Sequence, residues 1–158
     1  MKALPFLLLC FFCNSLLKAQ DKPKFPQGVG GKLNVYFSKV DMVEAGLAAG
    51  NFIKVKSSHI GYQSGFACLG VGGNQDKTLF TSRIGYEWIT FLIGGRVSLI
   101  NYTNFKQNQL CLLPEAGITL RGMLFLLYGY SIGLDKPDAF QAEGHSLNLG
   151  IVIPLHLK

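Results

Sequence analysis

From Ser146 to Leu157 the chain alternates with a period of two. Leu147, Leu149, Ile151, Ile153, Leu155 and Leu157 fall on one parity; Ser146, Asn148, Gly150, Val152, Pro154 and His156 fall on the other. Successive side chains of a β-strand point to opposite faces, so this segment presents one aliphatic face and one that is mostly polar or small. The pattern recurs upstream. Leu110, Leu112, Pro114, Ala116, Ile118 and Leu120 oppose Cys111, Leu113, Glu115, Gly117, Thr119 and Arg121. Phe80, Ile84, Tyr86 and Trp88 oppose Thr81, Arg83, Gly85 and Glu87, and Phe91, Ile93, Val97 and Leu99 oppose Gly94, Arg96 and Ser98. Between 124 and 134, Leu124, Leu126, Tyr128, Tyr130, Ile132 and Leu134 oppose Gly129, Ser131 and Gly133. Three less regular runs, at about 31–39, 41–53 and 57–71, bring the count to eight strands, with six strands and an N-terminal extension as the alternative. No 3.6-residue apolar period persists, so the fold class is all-β, an antiparallel up-and-down barrel.

The connections carry their own signal. Ile89-Thr90 and Arg121-Gly122-Met123 read as tight turns, whereas 72–77, 104–108 and 135–145 read as longer polar loops. Short turns on one rim and loops on the other characterise transmembrane barrels. Pro114 and Pro154 each remove a ladder donor, which predicts bulges.

The first twenty residues stand apart. Lys2, an apolar run from Leu4 to Phe12 and Leu17-Lys18-Ala19 have the layout of a signal peptide, and the run is shorter than the ~20 residues a spanning helix needs. The expected organisation is a signal peptide over 1–20, an extension over 21–30 and a barrel over 31–158. Cys10 and Cys13 leave with the peptide; Cys68 and Cys111 remain, either paired or serving as small apolar fillers.

The formal charge of +6 falls to +4 once Lys2 and Lys18 are removed, and no basic run carries stacking aromatics, which argues against nucleic acid. The placement of charge says more. Lys22, Lys24, Lys32, Lys39, Lys54, Lys56, Lys77, Lys106 and Lys136 read as strand ends and loops, as do all five aspartates. Glu44, Arg83, Glu87, Arg96 and Glu115 instead lie inside apolar runs.

Alternation alone fits two opposite objects. A soluble lipocalin-like carrier turns its aliphatic face inward around an apolar ligand, and a membrane barrel turns it outward against lipid. The second face here is Gly, Ser, Thr, Asn and a few Arg and Glu, with no Lys except Lys32 near a strand end, which suits a narrow lumen where desolvated charges pair. Tyr86, Trp88 and Phe91 at the short-turn rim, and Phe105 near the other, are candidates for an aromatic girdle.

A sketch of the register turns the charges into a network. A turn at 105–106 sets Arg96 opposite Glu115. A turn at 89–90 sets Arg83 opposite Arg96, with Glu87 one inward position further along and Glu44 across the lumen. Such a network plugs the barrel. Gly85, Gly94, Gly117, Gly129, Gly133 and Gly150 are expected to leave gaps holding trapped water.

Catalysis finds little support. His145 and Ser146 adjoin Glu143 but, as neighbours on a strand, point to opposite faces and make a poor base and nucleophile. His59 and His156 show no partners. No phosphate loop, catalytic carboxylate pair or metal-ligand spacing appears, so the chain reads as a non-enzyme with no cofactor and no metal. A lipid-modifying enzyme is the distant alternative.

With these residues in view the chain resembles the small eight-stranded OmpA/OmpX-type outer-membrane barrels. It is more similar to the short, uncharacterised outer membrane beta-barrel proteins whose signal ends in Lys-Ala-Gln. Asn101-Tyr102-Thr103-Asn104-Phe105, Leu113-Pro114-Glu115-Ala116-Gly117 and Tyr128-Gly129-Tyr130-Ser131-Ile132 carry the likeness, which covers most of 28–158. It departs at Leu157-Lys158, where many such barrels end in an aromatic residue. The resemblance implies a Gram-negative-type outer membrane, lipid as the surrounding partner and no particular activity; it names no protein partner.

Overall fold

The computed structural model describes residues 28–55, 59–74, 77–135 and 140–157. Its strands, in chain order, are β1 (Gly28–Phe37), β2 (Asp41–Val55), β3 (His59–Asn74), β4 (Lys77–Ile89), β5 (Ile93–Thr103), β6 (Asn108–Leu120), β7 (Leu124–Gly133) and β8 (Gly144–Leu157). Each pairs antiparallel with the next, and β8 closes on β1 to form a barrel with no free edge. All eight expected strands are present, and the six-strand alternative falls away. β1 begins at Gly28, upstream of the expected boundary at 31. The expected signal peptide, the rest of the extension, and the side chains of His59 and His156 lie outside the described residues.

The aliphatic parity lies on the outside. Leu69 is 72% exposed and Leu155 63%, against 1% for Arg83 and 0% for Arg96. The interior is therefore not the apolar cup that a lipocalin-like carrier needs. Its middle is polar and its two ends are apolar. At one end Tyr36, Met42, Leu79, Ile100, Tyr102 and Leu113 meet Val40, Phe140 and Ala142, the last three folded in from the β1–β2 and β7–β8 connections. At the other end Tyr62, Ile89, Phe125, Leu127 and Val152 pack together.

Three local expectations need correction. The β3–β4 connection is not a long loop: only two residues separate Asn74 from Lys77, and Gly72 and Gly73 continue the ladder of β3 against β2. Gly72 is there because a Cβ would press on Met42, Cβ to Cβ at 2.6 Å. What read as turn residues are a place of close strand approach. Of the connections on that rim, only 134–143 is long. The β4–β5 turn falls at Thr90, Phe91 and Leu92 rather than at 89–90, so Phe91 belongs to the turn and not to a strand. Thr90 closes it, its amide and hydroxyl both donating to the Ile93 carbonyl at 2.9 and 2.6 Å. Finally, Pro114 interrupts the ladder toward β7 without shifting its register, while the bulge expected at Pro154 appears between β1 and β8.

The β6–β7 hairpin turns on Arg121 and Gly122, both with positive φ (56° and 71°), the arrangement of a type I′ turn. Arg121 is thus an exposed residue of the tight turn expected at 121–123.

Candidate functional site

Six ionisable side chains meet inside the barrel: Lys32 from β1, Glu44 from β2, Arg83 and Glu87 from β4, Arg96 from β5 and Glu115 from β6. Alternation puts each on the inward parity of its strand, and the register brings them together. Arg96 faces Glu115 across β5–β6, as the sequence implied. It faces Glu87, and not Arg83, across β4–β5. The misplaced turn accounts for the error, because moving the hairpin apex slides every pair along the ladder. Arg83 lies opposite Ile100 and reaches the network through its length.

The contacts form one alternating line. Lys32 Nζ bonds Glu87, whose Oε2 lies 3.8 Å from Arg96 Nη1. Arg96 grips Glu115 in a two-point clamp, Nε to Oε2 at 2.7 Å and Nη2 to Oε1 at 3.0 Å. Arg83 Nη2 donates to the same Glu115 Oε2 at 3.0 Å, and its Nη1 to Glu44 Oε2 at 3.3 Å. Neutral groups fill remaining positions: Ser64 donates to Glu87 at 3.1 Å, Thr81 to Glu44 at 3.3 Å, Arg83 Nε to Ser98 at 2.9 Å and Arg96 Nη2 to the Tyr36 hydroxyl at 3.0 Å.

Aromatic faces complete the surroundings. Lys32 Nζ sits 4.1 Å from the Phe66 ring centre, and the Arg83 guanidinium 4.5 Å from that of Tyr36. Arg96 lies 5.3 and 5.4 Å from Phe125 and Phe66. A cation over a ring face gains from its quadrupole, more so where water is excluded. Charge balances within the line, three cations against three carboxylates, every one of these side chains fully buried.

Lys32 stands on the inward face near a strand end by the sequence reading, but the expected network did not include it. Its parity was the available signal: Lys32, Asn34 and Tyr36 alternate with Leu33, Val35 and Phe37. The glycines also differ from expectation, since most of the expected gaps are filled by side chains. A Cβ on Gly85 would meet Phe66 Cζ at 2.7 Å, one on Gly94 would meet Ile89 Cδ1 at 2.6 Å, and one on Gly129 would meet Glu115 Cγ at 2.6 Å. One on Gly150 would strike the Phe125 ring and Asn34 Oδ1, one on Gly133 the Glu143 carboxylate, and one on Gly117 the β7 backbone. These residues are sockets that let larger groups cross the lumen.

The candidate girdle residues all lie on the outer side. Tyr86 is 53% exposed, Phe91 41% and Phe105 80%, and Phe105 packs against Phe80 at 4.9 Å between ring centres. Trp88 is half-buried, lying over Gly95, its cross-strand partner. Tyr128, Tyr130 and His145 form a further outer cluster that the sequence reading missed: the Tyr128 hydroxyl meets His145 Nδ1, and Tyr130 packs edge-on at 5.0 Å. Ser146 points inward and His145 outward. Cys68 and Cys111 are buried, free thiols on the inner face. Among the described residues no group of His, Cys, Asp and Glu is arranged to hold a metal.

No family model, no curated protein and no solved structure matches the chain.

Proposed function

We propose that the chain is a non-enzymatic outer-membrane β-barrel with a structural or surface-interaction role, its lumen plugged by the Lys32–Glu87–Arg96–Glu115–Arg83–Glu44 line. One observation carries this reading, the inverted polarity of the barrel. Aliphatic side chains stand on the outer face of every strand with described side chains, Leu33, Leu47, Leu69, Ile84, Val97, Ile118, Leu126 and Leu149 among them, while six ionisable side chains are shut inside. A monomeric soluble protein rarely exposes an apolar patch beyond a few hundred Å², whereas lipid-facing strands require a continuous one. Aromatic residues toward both rims agree with placement at the two membrane interfaces.

Trp88 makes the test direct, because it is the only tryptophan in the chain and lies on the outer side. The mature protein is expected to sediment with the outer membrane and to need detergent for release. Refolded into vesicles, its Trp88 fluorescence is expected to be quenched by lipids brominated on their acyl chains. Recovery of most of the protein in the soluble periplasm, with Trp88 untouched by brominated lipid, would overturn the reading.

A further inference from the structure

One wall of the lumen has the opposite problem to the ion network. Asn34 Oδ1, Ser131 Oγ, Ser146 Oγ and both polar atoms of the Asn148 side chain have no hydrogen-bond partner among the described residues. These four residues are buried, from 0% exposed for Asn34 and Asn148 to 5% for Ser146. A buried amide or hydroxyl left unpaired is costly, so such groups are matched by protein or by bound water.

They are also contiguous. In β1–β8 Asn34 faces Gly150 and the next inward row sets Tyr36 opposite Asn148. In β7–β8 the rows continue as Leu127 with Asn148, Gly129 with Ser146 and Ser131 with Gly144. The orphan groups thus climb from Asn34, which faces Glu44 across β1–β2, through Asn148 and Ser146 to Ser131 at the rim that carries the β7–β8 connection. Asn34 with Asn148 and Ser146 with Ser131 are diagonal inward neighbours, roughly 7–8 Å apart at the backbone, and Asn148 and Ser146 follow one another along β8 at roughly 7 Å, distances that the side chains themselves partly cover. A water molecule bonded to two groups spans about 5.5 Å, taking two hydrogen bonds of ~2.8 Å each.

We propose that this wall holds a line of bound water molecules running from Asn34 to Ser131 beside the ion network. Water is the occupant because each carboxylate of the network already has a cationic partner and the wall supplies no charge among its described side chains, so an ion there would be desolvated without compensation. Asn148 offers both donors and acceptors, which suits a neutral partner that does the same. Apolar clusters close both ends of the lumen, Phe140 and Ala142 on one side and Phe125 and Val152 on the other, so the water is trapped and exchanges slowly. It lies beside the polar seam and not in the glycine sockets. The inference rests on the lumen alone and stands whatever medium surrounds the barrel.

The test is magnetisation transfer from water in ¹⁵N-labelled mature protein refolded in detergent micelles. Long-lived water cross-peaks are expected at the Asn148 side-chain amide and at the backbone amides of Ser131 and Ser146. The Asn148→Leu variant is expected to lose the signals at Ser146 by several-fold. The paired Ser131→Ala, Ser146→Ala variant does the same for the rim end should Asn148→Leu not fold. An intact barrel spectrum with no water transfer to these positions in the wild type would overturn the proposal, as would transfer that neither variant reduces.

Discussion

The β4–β6 wall and the β7–β8 wall enclose one lumen and wear the same aliphatic exterior, yet they satisfy their interiors by different means. The first carries Arg83, Glu87, Arg96 and Glu115, each bonded to another strand. The second carries no inward charge among its described side chains: Phe125, Leu127, Gly129 and Ser131 on β7, and Ser146, Asn148, Gly150 and Val152 on β8. Charged pairs tie specific rows together, so they fix register as well as fill space, at the cost of tolerating no missing member. The uncharged wall gives way to the charged one at Gly129, which makes room for Glu115, while Gly150 makes room for Phe125 within the wall itself. A barrel of this width has room for long side chains from one side only if the other side stays small.

The largest effect expected from breaking this contrast is at Arg96, which holds both ends of Glu115 and approaches Glu87. Arg96→Met should destabilise the refolded barrel by ~3–5 kcal/mol, because it takes the two-point clamp from buried Glu115, leaving it Arg83 alone, and removes a cation from beside buried Glu87. Arg96→Met with Glu115→Met should cost clearly less than the sum of the two single changes. Urea unfolding followed by Trp88 fluorescence measures all four species of the cycle; strictly additive costs would show that the pair is uncoupled.

Much of this arrangement was legible in the sequence, and the failures have physical causes. β7 and β8 were readable because the outward parity is apolar or aromatic from Leu124 to Ile132 and from Leu147 to Leu155, even though Phe125, Leu127 and Val152 place apolar groups on the inward parity as well. The Arg96–Glu115 pair was readable because Asn104 to Gln107 is an evident turn: the Asn104 side chain accepts from the amides of Lys106 and Gln107 at 3.0 and 2.8 Å. The β4–β5 register was not, since Ile89, Thr90, Phe91, Leu92 and Ile93 contain no glycine, proline or asparagine to mark the apex. Lys32 was legible as an inward residue near a strand end, but its pairing with Glu87 was not, because β1 and β4 are not neighbours and parity gives no distance across the lumen. The orphan seam could not be found by parity at all. Whether Ser131 has a partner depends on distances across the lumen, and alternation is silent on those.

A smaller effect is expected at Lys32, whose ammonium ends the ion line. Glu87 keeps Ser64 at 3.1 Å and Arg96 at 3.8 Å when Lys32 is removed, so the carboxylate is weakened in support and not abandoned. Lys32→Met, which retains the packing on Phe66, should cost about 3 kcal/mol or somewhat less, the low end for breaking a buried pair. The same unfolding assay checks it. A cost equal to that of Arg96→Met would mean that the line is held as strongly at its end as at its centre.

The smallest effect separates the two walls by one chemical change made on each. Ser98 on β5 accepts from Arg83 Nε at 2.9 Å and donates to the Leu113 carbonyl at 3.4 Å, and it is 2% exposed. Ser131 on β7 is 4% exposed and its hydroxyl has no partner among the described residues. Ser98→Ala deletes a bond to a buried charge and leaves the guanidinium short of an acceptor, which typically costs about 1.5–3 kcal/mol. Ser131→Ala deletes a hydroxyl that the protein itself does not satisfy, so only a water-mediated bond is lost, at a cost of about 1 kcal/mol or less. Both variants remove one oxygen from a buried inward position of a strand, so volume and transfer terms nearly cancel in the difference. Paired urea titrations read that difference as a separation of midpoints. Equal shifts would erase the distinction between the walls, and a larger shift for Ser131→Ala would reverse it, making the uncharged wall the more demanding of the two.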